Sequence, residues 1–435
     1  MLELWGQLCD CICRPPRDQY SAEQLIGGLH GRFRIGRFRG RRDDVTLTNK
    51  KGLKLVCSHF VPEDARGKDG RLPCVIYCHC NSGSRRDAEE AVWILLPLGV
   101  SVFTLDFAGS GLSEGNYVTL GANEVDDVEV VVEHLRSAQR VSTVGLWGRS
   151  MGAVTALLYS RRDPSIAGLV VDSPFSRLTD LMQEIVEEQK LPIPRALFKV
   201  AVSAMKRSVR KKAGFDLDKV APIDVVTEAF IPALFGHATE DSFIKIAHSE
   251  KLYEAYAGDK NMIRFEGDHN SRRPEFFHSS VSVFFHNTLQ LDRVLEGGNV
   301  LDAELRRALA GAVQLPLATG DDDGDADSSD ADGQFSRHGE PPYATSEQSA
   351  PREMLDAWGA TARGLLRDGT AEALADNGGG GYNDDDADDS GDDAALMAAI
   401  QMSLLEAAAA GSRDDANAAA VAAAAAGAGA GTAAA

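Results

Sequence analysis

The sequence predicts an α/β domain built on a mostly parallel sheet, followed by a long polar tail. Between residues 45 and 290, short runs of β-branched residues alternate with segments whose apolar residues recur with helical spacing. This alternation is typical of parallel strands connected by crossover helices. Near residue 300 the composition changes abruptly, which separates the predicted domain from the tail.

Seven short apolar runs predict the strands of the sheet, and the intervals between them predict helices. The strands are Leu53–Phe60, Cys74–His79, Ser101–Asp106, Thr143–Trp147, Gly168–Asp172, Pro232–Gly236 and Met262–Glu266. The helices are Asp87–Leu98, Asn123–Ala138, Met151–Arg161, Ser249–Tyr256 and Pro274–Thr288. We therefore place the domain at residues 45–292, after an N-terminal extension at 1–44.

One interval, residues 174–222, is too long for a single crossover helix. It contains two helical patterns, Leu178–Gln189 and Arg195–Lys212. We interpret this interval as a helical cap inserted over the sheet.

The tail carries nearly all of the net negative charge. Residues 301–435 contain 26 Asp and Glu against 7 Arg, whereas residues 1–300 contain 39 acidic and 38 basic residues. The tail has few large apolar residues and cannot bury enough apolar surface to fold by itself. We therefore predict a disordered acidic linker at 293–391 and a low-complexity Ala/Gly segment at 408–435. The nearly neutral domain gives no indication of nucleic-acid binding, which favours a clustered basic surface.

The start of the chain and its cysteines indicate a cytoplasmic protein. No apolar run is long enough to span a bilayer, and Glu3 and Asp10 stand where a secretory signal would be basic. The cysteine count of seven is odd, and Cys74, Cys78 and Cys80 lie on or beside a predicted buried strand. Buried thiols are common there, and no second ligand pair supports a metal site.

The segment Gly148-Arg149-Ser150-Met151-Gly152 has the pattern of a nucleophile elbow. It lies between a predicted strand and a predicted helix, where two small residues permit a tight turn around an exposed serine. A serine hydroxyl is a poor nucleophile by itself and needs a base, an orienting carboxylate and oxyanion donors. Ser150 is the predicted nucleophile, with Gly148 and Gly152 forming the elbow.

The acid and the base should follow Ser150 in that order, each at the end of a later strand. Asp241 follows the strand Pro232–Gly236, and His269 follows Met262–Glu266. We predict that His269 is the general base and that Asp241 orients it. Glu240 and Asp172 are the alternatives for the acid.

Two backbone N–H groups are predicted to stabilise the oxyanion. Met151 begins the helix after the nucleophile, and Asn81 lies in the loop after Cys74–His79. The side chains of His79 and Asp106 are expected to order loops, without a chemical role. This chemistry needs no metal or organic cofactor.

These motifs resemble the serine aminopeptidase-like and lysophospholipase-like α/β hydrolases, which include depalmitoylating acyl-protein thioesterases. The resemblance covers about residues 45–290 and looks like a plant and green-algal branch. Its motifs are residues 14–17, 57–59, 105–111, 145–152 and 256–261. It implies the same triad and an ester or thioester substrate of the lipid or acyl-protein class. The family's His-Gly-Asn reads His79-Cys80-Asn81 here, which places a side chain beside the oxyanion loop.

Two other functions are alternatives to the hydrolysis of an ester or thioester. Peptide hydrolysis of the aminopeptidase type would use the same triad, whereas a ubiquitin-binding adaptor would need little turnover. Residues 392–407 resemble a ubiquitin-interacting motif, since the candidate contacts recur with helical spacing. Those contacts are Leu396, Ala399, Ile400, Ser403 and Glu406.

The N-terminal cysteines predict an alternative attachment to membranes. Cys9, Cys11 and Cys13 lie beside apolar residues and two arginines, an arrangement compatible with S-acylation. Two lipid chains would be needed for stable anchoring. The localisation expected is therefore cytoplasmic, with peripheral membrane contact through this cluster as the alternative.

Overall fold

The described residues contain one nine-stranded sheet, in a computed structural model that describes residues 2–188 and 195–296. The order across the sheet is β1-β2-β3-β5-β4-β6-β7-β8-β9. The strands are β1 Arg32–Ile35, β2 Phe38–Thr48, β3 Lys54–Pro62, β4 Leu72–Cys78, β5 Ser101–Leu105, β6 Val141–Arg149, β7 Leu169–Asp172, β8 Ala233–Ala238 and β9 Lys260–Phe265. From β5 to β9 every pairing is parallel, while β1, β2 and β3 pair antiparallel with their neighbours. The predicted mostly parallel sheet is confirmed.

The helices follow the predicted alternation with strands. They are α1 Leu2–Cys13, α2 Glu89–Leu95, α3 Glu124–Ser137, α4 Met151–Ser160, α5 Leu178–Glu188, α6 Arg195–Ala213, α7 Ile246–Ala255, α8 Glu275–Thr288 and α9 Leu291–Val294. Each predicted helix is present within a few residues of its expected bounds. No helix of the described ranges has the length and apolar character needed to cross a membrane.

The described chain forms two compact units. One consists of residues 2–12, 182–188 and 195–217, and the other of residues 13–181 and 218–296. In the smaller unit, Trp5 Nε1 donates a hydrogen bond to Ser208 Oγ at 3.0 Å, and Lys212 pairs with Asp10 at 2.6 Å. The predicted cap region therefore contains its two helices, and its position over the sheet stays a prediction.

The hydrophobic core of the larger unit lies on the central strands. All five residues of β5 are buried, as expected for a strand covered on both faces. Phe277, Val281 and Phe285 lie four residues apart on α8, and each is fully buried. A Cβ at Gly145 in β6 would lie 2.7 Å from the Phe285 ring, so this glycine lets α8 approach the sheet closely. Burial of each such ring stabilises the fold by about 1.5–3 kcal/mol.

The sheet and its packing extend beyond the predicted domain bounds, 45 and 292, at both ends. The hairpin β1–β2 brings residues 32–44 into the sheet, and Ile35 is buried in its core. After α9, Leu295 is buried and forms an antiparallel bridge with Gly67. The alternating Arg and Phe residues of β1 were missed because four residues give too short a pattern to identify a strand.

The N-terminal cysteines lie on a helix, and two of them are inaccessible. Cys9 is 2% exposed and Cys13 is fully buried. Burial, together with the charge of Asp10, raises the pKa of the Cys11 thiol. The three thiols are therefore not equally accessible in the folded chain, and their S-acylation stays a prediction.

The predictions for the tail lie outside the described residues. These are the linker beyond residue 296, the segment 392–407 with its candidate contacts, and the segment 408–435.

Candidate active site

Ser150 is the single residue between β6 and α4, and its backbone is strained. Its φ is 53° and its ψ is −117°, a conformation that side chains rarely adopt. The Ser150 N–H donates a hydrogen bond to the Asp172 carbonyl at 2.8 Å, while its own carbonyl accepts from Val154 N at 3.0 Å. A strained serine at a strand-to-helix turn has its hydroxyl directed away from the sheet, as a nucleophile requires.

The two glycines of the elbow are required by close backbone contacts. A Cβ on Gly148 would overlap the backbone of Gly152, and a Cβ on Gly152 would overlap the Cys78 carbonyl. Because these neighbours are backbone atoms, they cannot move aside as a flexible side chain would. Both positions therefore accept only glycine if α4 is to begin directly after Ser150.

The structure brings the three predicted triad residues together. His269 Nε2 lies 3.1 Å from Ser150 Oγ, and His269 Nδ1 lies 2.7 Å from Asp241 Oδ2. Asp241 follows β8 and His269 follows β9, so the parallel strands bring both side chains to the same edge of the sheet as Ser150. The three residues are 4%, 6% and 5% exposed in the order Ser150, His269, Asp241, so little water competes for their hydrogen bonds.

Asp241 is held as a carboxylate by several donors. Its Oδ1 accepts hydrogen bonds from the N–H groups of Phe243 at 3.0 Å and Ile244 at 2.8 Å. His237, which is fully buried, places Nε2 3.4 Å from Asp241 Oδ2. Burial alone would raise the pKa of Asp241, but the charge of His269 and hydrogen bonds from both histidines hold it well below its usual range.

Two arginines, Arg273, which is buried, and Arg149, which is half-buried, bind the backbone of His269. Arg149 Nη2 donates to the His269 carbonyl at 3.0 Å, and Arg273 Nη1 donates to the same oxygen at 3.3 Å. Arg273 also donates to the Ser271 carbonyl at 2.7 Å. The loop that carries the candidate base is therefore fixed by charge-assisted hydrogen bonds, the stronger kind.

Asp172 is the counterion of this cluster. Its carboxylate accepts two hydrogen bonds from Arg273, at 2.7 and 2.9 Å, and both side chains are fully buried. Burial would raise the pKa of Asp172, but Arg273 and then Arg149 hold it below its usual value. Because both of its oxygens are occupied by Arg273, Asp172 is not available to orient His269.

Glu240, the other alternative for the acid, and the loop residues His79 and Asp106 make the following contacts. Glu240 is exposed and donates its N–H to the Gly267 carbonyl at 3.0 Å. His79 is buried, with Nε2 accepting from Phe107 N at 3.1 Å and Nδ1 lying 2.6 Å from the Cys80 carbonyl. Asp106 accepts from the N–H groups of Arg85 and Leu112, both at 2.7 Å. The described residues contain no group of three or more His, Cys, Asp or Glu side chains that could hold a metal ion.

The candidate oxyanion donors lie on two segments that meet beside the nucleophile. Met151 is the first residue of α4, so its N–H has no acceptor within the helix. Asn81 is 8% exposed and lies in the turn that follows β4. The close approach of Gly152 to the Cys78 carbonyl brings the start of α4 against the end of β4, from which that turn begins.

The side chain of Cys80, where the resembling family has glycine, is accommodated beside an acidic residue. Its Sγ lies 3.9 Å from Asp87 Oδ2. Burial, and then the charge of Asp87, raises the pKa of the Cys80 thiol to about 11, so the thiol is neutral. Burial also raises the pKa of Asp87 to about 7, against the opposite effect of Arg149.

Sequence reasoning missed the groups that hold the triad in place. Arg149 is an unspecified position of the elbow motif, and Arg273 follows His269 by four residues. Phe243 packs against the His269 ring with centroids 5.2 Å apart. The one available signal was the spacing of His237 and Asp241, which places His237 in β8 and Asp241 three residues after the end of that strand.

Asp172→Asn is expected to destabilise the fold strongly. The substitution leaves Arg273 as a buried charge without its counterion, which costs about 3–5 kcal/mol of unfolding free energy. Chemical denaturation measures the change. The matched control is Asp64→Asn, which removes the partner of the exposed Arg39 and should change stability far less. Equal losses of unfolding free energy in the two variants would contradict a stabilising role for the buried Asp172–Arg273 ion pair.

Asp87→Asn is expected to change the pH dependence of stability. A carboxyl whose folded pKa is about 7, above its unfolded value of 3.8, makes the folded state retain a proton that the unfolded state has lost. The wild-type chain should therefore lose stability relative to the variant as pH rises from about 4 to 7, with a constant difference above 7. Denaturation at pH 4, 6 and 8 measures the difference. A difference that is the same at all three values would contradict the raised pKa.

Comparison of the sequence with known proteins identifies the family of the chain. Residues 73–220 match the family model described as serine aminopeptidase, S33. The chain is similar to YqkD of Bacillus subtilis, with 30% identity over 248 residues that cover 54% of this chain and 76% of YqkD. It is also similar to YfhR of Salmonella typhi, with 24% identity over 241 residues, covering 52% and 74% of the two chains.

Solved structures give weaker similarities. The esterase Pf2001 of Pyrococcus furiosus aligns with a TM-score of 0.46 and 21% identity, covering 63% of this chain and 98% of the esterase. Est1E of Butyrivibrio proteoclasticus, solved with ferulic acid, aligns with a TM-score of 0.46 and 18% identity, covering 57% and 99%. The sheet order and the family match confirm the predicted α/β-hydrolase fold. With 76% of YqkD covered at 30% identity, the chain belongs to the serine aminopeptidase S33 family of α/β hydrolases.

Proposed function

We propose that this protein is a serine hydrolase that cleaves carboxylic esters or thioesters through an acyl-enzyme. The observation that carries the proposal is the chain of contacts from Ser150 Oγ to His269 Nε2 and from His269 Nδ1 to Asp241 Oδ2, at 3.1 and 2.7 Å. Nucleophile, base and orienting acid are thus within hydrogen-bonding distance before any substrate arrives.

The ionisation of Asp241 sets the direction of proton transfer. As a carboxylate it accepts a hydrogen bond from the protonated Nδ1 of His269, which leaves Nε2 as the acceptor that faces Ser150. Ser150 attacks the acyl carbon as its proton passes to His269 Nε2. Asp241 then stabilises the imidazolium that forms, without taking the proton itself.

The rest of the cycle uses the oxyanion donors and water. The N–H groups of Met151 and Asn81 stabilise the negative oxygen of the tetrahedral intermediate. His269 gives its proton to the leaving alcohol or thiol, and a water molecule then attacks the acyl-enzyme with His269 again as base. The lipid or acyl-protein substrate class is supported by the resemblance of the motifs at 57–59, 105–111 and 145–152.

Ser150→Ala should abolish both turnover and active-site labelling. Without the hydroxyl no acyl-enzyme forms, so kcat for a p-nitrophenyl ester should fall by about 10⁴-fold or more, and a fluorophosphonate probe should no longer label the chain. The matched control is Ser282→Ala, which removes another buried hydroxyl, one bonded within α8. Absence of labelling in folded wild-type protein would overturn the proposal and favour the adaptor.

A peptidase of the aminopeptidase type is the second candidate, favoured by the description of the matching family model. It would use the same three residues but must protonate a more basic amine as the leaving group. An alkoxide or thiolate leaves with less assistance from a general acid than an amine does, so protonation by His269 matters less for esters and thioesters. We therefore expect kcat/KM for S-acyl thioesters and short acyl esters to exceed that for aminoacyl anilides by at least about 100-fold. A higher kcat/KM for the anilides would reverse the assignment.

A further inference from the structure

The hairpin β1–β2 carries an unusual concentration of positive charge on one face. The sequence from residue 32 to 41 is Arg-Phe-Arg-Ile-Gly-Arg-Phe-Arg-Gly-Arg. Successive residues of a strand point to opposite faces, so the apolar residues point inward, where Ile35 is buried. We call the four paired arginines the arginine face: Arg32, Arg34, Arg39 and Arg41. Arg37 lies in the turn, with its guanidinium over the Phe38 ring, and is not part of this face.

The register of the hairpin places like charges directly opposite each other. Arg32 pairs with Arg41 and Arg34 pairs with Arg39 across the two strands. Two positive side chains facing each other destabilise a hairpin. The hairpin therefore forms at a cost that a bound anion would reduce.

The carboxylates of the described chain do not balance this charge. Arg39 binds Asp64 at 2.6 Å and Arg41 binds Asp43 at 2.8 Å. Arg32 and Arg34 are exposed. Arg34 contributes to the lowered pKa of Asp64, but that carboxylate is already hydrogen-bonded to Arg39. The arginine face thus retains positive charge at the edge of the sheet.

The described chain ends beside this face. The Glu296 N–H donates a hydrogen bond to the Arg66 carbonyl at 2.8 Å, and Lys68 N donates to the Val294 carbonyl at 2.8 Å. Arg66 lies two residues after Asp64, the partner of Arg39. Whatever follows residue 296 therefore starts near the arginine face.

The sequence that follows contains a complementary charge. Residues 321–332 include seven aspartates and no basic residue, and they begin 25 residues after Glu296. That length of chain can extend up to about 80–90 Å, more than enough to reach the hairpin. A second run at 384–393 also has seven aspartates but begins 88 residues after Glu296. The nearer run has an effective concentration about sevenfold higher, because this quantity falls roughly as the −3/2 power of linker length.

We propose that the arginine face is a docking surface for the acidic run at residues 321–332 of the same chain. Arginine suits this partner because its planar guanidinium binds carboxylates through two hydrogen bonds. The contact is intramolecular and electrostatic, so it weakens as salt screens the charges. It leaves the triad untouched and is independent of the proposed hydrolase activity.

Carbodiimide cross-linking of the full chain tests the contact. Arg34→Lys keeps the charge and supplies an amine that the reagent joins to a nearby carboxylate. Mass spectrometry should find cross-links from position 34 to residues 321–332 at low salt, and these should decrease in 1 M salt. The exposed Lys51 is the internal reference. Cross-links from position 34 that are no more frequent than those from Lys51 would overturn the proposal.

Binding to anionic vesicles separates the tail from a membrane as the occupant. Replacing the seven aspartates at 321–332 by asparagine should uncover the arginine face and tighten binding to phosphatidylserine vesicles by on the order of tenfold. The matched variant replaces the seven aspartates at 384–393 and should bind as the wild type does. Equal tightening in both variants would show an effect of net charge alone. Wild-type binding as tight as that of the first variant would show that the face is open to lipid, and either result rejects the proposal.

Discussion

The buried ion pair between Asp172 and Arg273 is the interaction on which the candidate site depends. Through its backbone carbonyl, Asp172 holds the N–H of Ser150, and through its carboxylate it holds Arg273. Arg273 in turn binds the carbonyl of His269. One aspartate thus connects the backbone of the nucleophile to the backbone of the base, across residues that are more than 100 positions apart in the chain. A shift of about 1 Å between the two backbones would move Ser150 Oγ out of hydrogen-bonding distance of His269 Nε2, which now lies 3.1 Å away.

The same cluster explains why two aspartates near the triad have different roles. Asp172 ends β7 and Asp241 follows β8, and both carboxyls have pKa values held below the usual range. Asp241 is surrounded by imidazoles and backbone N–H groups, which leaves one oxygen for His269. Asp172 is surrounded by guanidinium groups, which occupy both of its oxygens. Neighbouring donors, not position on the sheet, determine which carboxylate can orient the histidine.

The sequence predicted the parts of the site that have local signals. Ser150 lies in a motif of five residues, and Asp241 and His269 follow strands that apolar runs identify. Arg149 and Arg273 have no such signal, because an arginine beside a motif is usually exposed and only the folded sheet shows that Arg273 is buried and Arg149 half-buried. The hairpin β1–β2 was missed for a related reason. Its alternating arginines hide a pattern that becomes clear only once β2 pairs along the length of β3.

Two features of the larger unit cost folding free energy, and each indicates a functional constraint. The positive φ of Ser150 costs about 1–3 kcal/mol, and the close backbone contacts of the elbow glycines maintain it. The facing arginines of the hairpin also oppose folding, and in each facing pair one arginine, Arg39 or Arg41, has a carboxylate partner in the described chain. In the first case the strain directs a hydroxyl toward a base that is already in place. In the second case an anion bound to the arginines would offset their repulsion. The seven aspartates at residues 321–332 can supply that anion from the same chain.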